Sequence, residues 1–327
     1  MVKERDKSID AVAGLMIIYM IFIHMGHPVE LDTISTGMHY MFFYFMAWFF
    51  FKTGMFYKER SLKEEWKLCY KRLVIPLICF TVLGQMVEWV RRIIEGDYNW
   101  IHYTLSPVKE LLISGYTNGN SPLWFLFTMI FARLLYAAVI KYAPPITYRD
   151  VIIAICFGTF YVLFSYIRDL FQLPIYCYNI PLSLVFVAMG HLLKRIQFKL
   201  EILFLSLITV MILGIADFSY VVFMSGSLIE GDSYVSFIVL SIAGIVIVNN
   251  VLTYLCKWYS FPILSFVGRN SMAYFVIHMP LLLICSMLNI ECSTFMCFII
   301  KYILIVAIIT IIDRLLKKWK FSWVFGE

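Results

Sequence analysis

Ten apolar stretches, each about as long as a bilayer core is thick, divide this chain and leave it few folds to choose from. They lie at roughly 9–28, 37–57, 72–91, 122–140, 150–167, 176–193, 200–224, 234–256, 270–289 and 295–316. A helix needs about 20 mostly apolar residues to cross the hydrocarbon core. Composition agrees: 62% of the residues are hydrophobic and 15% charged, against roughly 45–50% and 25% in soluble domains. An ordinary soluble enzyme, a disordered protein and a nucleic-acid-binding module are thereby excluded. The expectation is an all-α, polytopic membrane bundle of about ten transmembrane helices, forming a single domain over 1–327. Lys3, Arg5 and Lys7 precede the first stretch, as in a signal peptide. That stretch runs on to His24-Met25-Gly26-His27 without a small-residue cleavage site, so it reads as a retained helix.

The basic residues set an orientation. Those before span 1 (Lys3, Arg5, Lys7), between spans 2 and 3 (Lys58 to Arg72), 4 and 5 (Lys141, Arg149), 6 and 7 (Lys194, Arg195, Lys199), 8 and 9 (Lys257, Arg269), and in the tail (Arg314, Lys317, Lys318, Lys320) number 20 of the 27. The opposite loops carry Arg91, Arg92, Lys109, Arg168 and Lys301. Two of those loops show Glu30 with Asp32, and Glu230 with Asp232, and no basic residue. Positive residues stay on the cytoplasmic side, which predicts both termini there. The stretch 92–121 reads as a structured outer loop, and no internal repeat of the kind that builds many transporters is visible. The eight cysteines show no C-x-x-C and no histidine at ligand spacing, so they read as small core residues and no metal is expected.

Ionisable groups inside spans are costly and are candidates for function. In span 1, Asp10 and His24 fall on one helical stripe, about 21 Å apart by helix rise, with His27 further out. An imidazole there can serve as a general base or as a hydrogen-bonding strut between helices. In span 9, Ser271, Tyr274 and His278 share a face. Asn270-Ser271 can also be a plain helix N-cap, and His278 can bond the carbonyl that Pro280 frees one turn earlier. Arg72 opens span 3, either as a topology anchor or as a ligand for phosphate groups. Trp124 begins span 4 and suits an interfacial anchor. Lys52 and Arg133 lie within spans, and Arg133 requires a partner that the sequence does not identify. Asp217, Asn249 and Asn250 read as interhelical hydrogen-bonders.

Six short segments in order resemble the acyltransferase 3 family of integral-membrane O-acyltransferases. They are Arg5 through Ile9-Asp10 and Gly14 to His24, Trp48–Phe56, Tyr70–Pro76, Pro122–Leu126, Val187–Leu193, and Gly268-Arg269-Asn270-Ser271 through His278. The branch most similar modifies surface polysaccharides, as fucose 4-O-acetylase-like proteins do. The resemblance implies a ten-helix core, His24 as catalytic histidine and Arg72 as a ligand of the acyl-CoA donor. Asp10, Trp124, Asn270, Ser271 and His278 would line or support the site. The family usually has a basic residue eleven positions before the helix-1 histidine, where this chain has Ala13. Phe45, Ala47 and Thr53 replace the usual His, Pro and Ser around the second-helix aromatic run.

The resulting expectation is transfer of an acyl group, acetyl first among them, from cytoplasmic acyl-CoA to a hydroxyl of a cell-surface polysaccharide or lipid-linked sugar. Acetyl-CoA would be a co-substrate, with no bound cofactor and no nucleic-acid partner. The setting expected is a bacterial cytoplasmic (inner) membrane. The competing expectation is a polysaccharide exporter without acyltransferase activity, which would tolerate Ala13.

Overall fold

A computed structural model describes residues 6–97, 99, 105, 106, 109, 110, 113, 119–143, 148–171, 176–216, 233–290 and 294–327. Lys3, Arg5, Asp217, Glu230, Asp232, Cys292 and most of 98–118 lie outside the described residues, as does the side chain of Arg168. The described residues contain no strand. Thirteen α-helices run in order: α1 (Lys7–His24), α2 (Asp32–Phe42), α3 (Phe45–Met55), α4 (Leu62–Cys69), α5 (Ile75–Glu95), α6 (Trp124–Tyr142), α7 (Arg149–Phe171), α8 (Tyr176–Leu193), α9 (Leu200–Ala216), α10 (Ser233–Leu255), α11 (Pro262–Arg269), α12 (Ser271–Met287) and α13 (Phe295–Lys318). Among the described residues six helical stretches are long and apolar enough to cross a membrane, and a seventh if α11 and α12 form one bent span.

Each of the ten apolar stretches holds a helix, but several are broken where the sequence suggested continuity. The stretch 37–57 is two helices, parted at Phe43 and Tyr44. α1 ends at His24, so His27 lies beyond it, bonded at Nδ1 to Asp32 (3.2 Å). The third stretch starts earlier, at α4, whose N-terminus is closed by a capping box between Ser61 and Glu64. α4 passes into α5 through one wide π-helical turn, Tyr70–Val74, closed by a bond from Ile75 N–H to the Tyr70 carbonyl. Pro76 accounts for it. In an unbroken α-helix its ring would press on the Arg72 carbonyl and offer that carbonyl no N–H. Widening the turn relieves the clash. α11 and α12 meet at Asn270 with a bend of 82°.

Small residues let the helices approach closely, as bilayer packing favours. A Cβ at Gly14 would run into the Leu264 carbonyl, and one at Gly268 into the Asp10 carbonyl. These two contacts clamp α11 against the first half of α1. Polar bonds hold the same end of α1: Ser265 Oγ of α11 donates to the Lys7 carbonyl (3.3 Å), and the Ser8 hydroxyl meets that of Thr253 on α10 at 3.1 Å. As expected, Asn249 and Asn250 tie helices together. Asn249 accepts from Trp48 Nε1 (2.9 Å) and donates to Gln197 (2.8 Å), and Asn250 donates to the Gln197 carbonyl (2.7 Å). The seven described cysteines form no disulfide.

Replacing Gly14 by valine will therefore overpack the α1–α11 contact and cost about 1–3 kcal/mol. Gly37→Ala, where a Cβ meets nothing within 4 Å, will leave stability unchanged or slightly raised. Thermal unfolding of the two variants in detergent checks the difference.

Candidate active site

Two of the sequence candidates, drawn from distant spans, meet. The rings of His24 and His278 lie 5.1 Å apart, tilted by 48°. His24 closes α1 and is exposed; His278 sits in mid-α12 and is fully buried. Each turns Nδ1 back onto its own helix. His24 Nδ1 is 2.8 Å from the Met20 carbonyl, and His278 Nδ1 is 2.8 Å from the Phe275 carbonyl and 3.2 Å from that of Tyr274. A carbonyl only accepts, so both Nδ1 atoms carry a proton, and in the neutral imidazole each Nε2 keeps its lone pair. His278 Nε2 is buried with no hydrogen-bond partner among the described residues. In a protein interior such an atom is rare and needs an explanation.

The carbonyl freed by Pro280 does not go to His278. It belongs to Val276, and Asn120 Nδ2 donates to it at 2.9 Å. Asn120 is fully buried and closes the segment ahead of α6. Sequence reading passed over it as a loop polar residue. Its partner lies 156 positions away, and only the helix-breaking effect of Pro280 hints that such a donor is required.

Two adjoining cavities lie between the α4–α5 turn and the residues around the histidines. The larger, about 270 Å³, is lined by Lys52, Arg60, Arg72 and Arg133 at its polar part, with Thr53 and Tyr57. The smaller, about 80 Å³, is lined by Ile17, Ser271 and Phe275, and shares Phe49, Phe125, Leu126 and Met272 with the first. Phe275 reaches the His278 ring, 6.4 Å between centroids, and Ile17 lies two turns before His24 on α1. A cationic cavity thus adjoins a smaller apolar one, whose Phe275 wall separates it from the His278 ring.

The cations differ in how they are held. Arg133 meets its partner in Glu65, which is 1% exposed: Nε and Nη2 donate to one carboxylate oxygen at 2.8 and 2.5 Å. Arg60 bonds the other oxygen at 3.3 Å. Lys52 lies over the Trp48 ring at 5.1 Å. Arg72 is exposed at the cavity wall, on the π-helical turn, with the backbone of Gly326 pressed against its own. Wide turns of this type recur at functional sites. Lys52, Arg60, Arg133 and Glu65 were not singled out as site residues by the sequence. Charge inside an apolar run was the available signal for Lys52 and Arg133.

The other candidates fall elsewhere. Asp10 is buried at the start of α1, with Arg269 Nε 3.9 Å from its carboxylate. Asn270 occupies the N-cap position of α12 without capping it. Its Nδ2 donates to the Phe266 carbonyl (2.9 Å) and its Oδ1 accepts from Lys317 (2.5 Å). Lys317 also pairs with Asp313 and Glu327, each at 3.1 Å. Asn270 therefore fixes the bend and the tail. Tyr274 faces away from the site and bonds Thr310 (2.6 Å). Trp124 is half-buried at the first turn of α6 and lines neither cavity. Only Ser271 and Arg72 join the histidines along the path. Among the described residues no three His, Cys, Asp or Glu side chains stand together as a metal site.

Residues 6–322 match the acyltransferase 3 family, described as an acyltransferase domain. The chain belongs to the acyltransferase 3 family. No curated protein and no solved structure matches it. Membership implies acyl transfer by a membrane protein, and the departures from the family pattern can now be placed. Ala13 is fully buried, and the cavity mouth of this acyltransferase draws its cations from α3, the segment before α4, the π-helical turn and α6. Thr53, which stands for the usual serine, lines the cavity and donates to the Phe49 carbonyl (3.0 Å).

The Glu65–Arg133 pair gives a test of this arrangement. Glu65→Ala strands a buried guanidinium and will cost about 3–5 kcal/mol. The double variant Glu65→Ala/Arg133→Ala will recover much of that loss. Unfolding of the three variants in detergent, read as a double-mutant cycle, checks it.

Proposed function

We propose that this protein moves an acetyl group from cytoplasmic acetyl-CoA to a hydroxyl of a cell-surface polysaccharide or lipid-linked sugar. The observation that carries the reading is the pairing of His24 and His278, each with Nδ1 turned to its own helix, one aromatic ring beyond an apolar cavity that adjoins a cationic one. Phosphates of the donor suit Arg72 and its neighbours, because guanidinium groups bind them in charge-assisted bonds. The flexible arm of the donor suits the apolar waist between Phe49, Phe125 and Met272.

At the far end, His24 Nε2 takes the proton of the acceptor hydroxyl as its oxygen attacks the thioester carbonyl carbon. The C–O bond forms, the C–S bond breaks, and the CoA thiolate leaves with the proton returned by His24. His278, held rigid by two carbonyls, supplies a second acceptor atom beside the reacting centre. Ten spans, both termini in the cytoplasm and a bacterial cytoplasmic membrane complete the reading. It is supported by the charge pattern and by the correspondence of each apolar stretch to a helix. One domain covers the chain, and the donor is a co-substrate rather than a bound cofactor.

His24→Ala in purified protein will lower acetyl transfer by at least about 100-fold, the usual worth of a general base, with acetyl-CoA affinity unchanged. Arg72→Ala will weaken acetyl-CoA binding by about tenfold or more, the loss of a charge-assisted bond. Wild-type transfer rates in His24→Ala remove the histidine from its role. A wild-type protein that binds no acetyl-CoA favours the exporter reading instead.

A further inference from the structure

The chain beyond α13 folds back onto the turn that carries Arg72. Its reversal is a Schellman turn: Lys320 takes a left-handed φ of 63°, its N–H donates to the Lys317 carbonyl (3.1 Å), and the Phe321 N–H reaches the Leu316 carbonyl (2.8 Å). A short 3-10 turn, Ser322–Phe325, follows and ends at Gly326, whose φ of 76° suits glycine. Phe325 is 4% exposed, and its ring stacks on that of Phe80 in α5, with 5.6 Å between centroids and 13° between planes. Gly326 rests on the π-helical turn itself: a Cβ there would lie 2.6 Å from the Arg72 Cα and 2.8 Å from its carbonyl oxygen. The Glu327 carboxylate closes the segment on Lys317 (3.1 Å), the lysine that also bonds Asp313 and Asn270. Asn270 precedes Ser271 and Met272, two wall residues of the smaller cavity.

We propose that Phe325 and Gly326 are positioning residues for the acyl donor: they hold the backbone of the π-helical turn where it sets Arg72 on the cavity wall. The inference rests on the reading of Arg72 as a donor ligand. The other cations of that wall are placed through their side chains, Arg60 and Arg133 by Glu65 and Lys52 by Trp48. The Arg72 guanidinium takes part in no ion pair among the described residues, so its place is set by the turn beneath it. A π-helical turn is a wide and seldom used winding, and contacts from outside the helix favour it over its alternatives. The segment presses on both sides of the break at Pro76: on Arg72 four residues before it, and on Phe80 four residues after it. The contact at Gly326 is backbone against backbone. A larger residue there finds no flexible side chain to push aside, so either the Arg72 turn or the segment must move.

The test is the dissociation constant of acetyl-CoA for the purified full-length protein in lipid nanodiscs, measured for Arg72→Ala, Gly326→Val and the double variant. Gly326→Val will weaken binding about tenfold, as large a loss as that of the Arg72 charge-assisted bond. In the Arg72→Ala background it will add less than about twofold, because both changes act through one group. Phe325→Ala removes the Phe80 stack without a collision. It will weaken binding about threefold, the worth of an aromatic pair, and add nothing in the Arg72→Ala background; it decides the matter if Gly326→Val does not fold. Losses that multiply in full with that of Arg72→Ala overturn the proposal, since the segment is then a brace for the fold at large. A weakened Arg72→Ala beside wild-type affinity in Gly326→Val and Phe325→Ala overturns the proposal alone. A wild type that binds no acetyl-CoA, or wild-type affinity in Arg72→Ala, refutes the donor reading and the proposal with it.

Discussion

In lipid, a polar group must find its partner within the protein, and this requirement organises the molecule. Several intramembrane polar side chains are spent on a neighbour. Asn249 joins Trp48 to Gln197, Asn120 repairs the carbonyl that Pro280 frees, and Glu65 neutralises Arg133. The Nε2 of His278, like the hydroxyls of Thr128 and Ser241, stands outside this pairing. Its other nitrogen is fastened to two carbonyls, so the unpartnered atom is fixed in direction as well as in protonation. A buried lone pair kept in place by such means costs stability and gains a use only when a substrate reaches it.

The two proline breaks show how local sequence supplies that geometry. Pro76 widens the helix at Arg72 and turns this cation to the cavity wall. Pro280 opens a carbonyl on α12, two residues from His278, and so draws Asn120 and the segment before α6 against that helix. The tight α1–α11 clamp at Gly14 and Gly268 then fixes α1, whose last residue is His24. The cationic cavity, its apolar neighbour and the imidazole pair are consequently held by separate devices, each on a different helix.

Much of the helical layout was legible in the sequence. The stretch 176–193 coincides with α8, and 295–316 with all but the last two residues of α13, because long apolar runs in lipid have few other options. His24, His278, Ser271 and Arg72 were identifiable as intramembrane or family-like residues. The breaks were not. Asn270-Ser271 reads locally as a cap, and the 82° bend depends on Lys317 from a helix near the chain's end. The partner of Arg133 was out of reach for the same reason: Glu65 looks like part of a solvated, charged turn until tertiary packing buries it. Asp10 and Trp124, implied by resemblance, sit apart from the cavity path, so family likeness marked the helices better than it marked the contacts.

The central claim is that one path carries a thioester from the cationic mouth to His24. The most direct measurement is a cryo-electron microscopy map of the protein with a thioether analogue of acetyl-CoA. The account predicts phosphate density against Arg72 and Lys52 and an arm passing between Phe49, Phe125 and Met272. Its acyl carbon would lie close enough to His24 Nε2 for a hydroxyl oxygen between them, at about 3–3.5 Å from the carbon. An analogue bound with its arm outside this passage, or with its acyl group remote from both histidines, would contradict it.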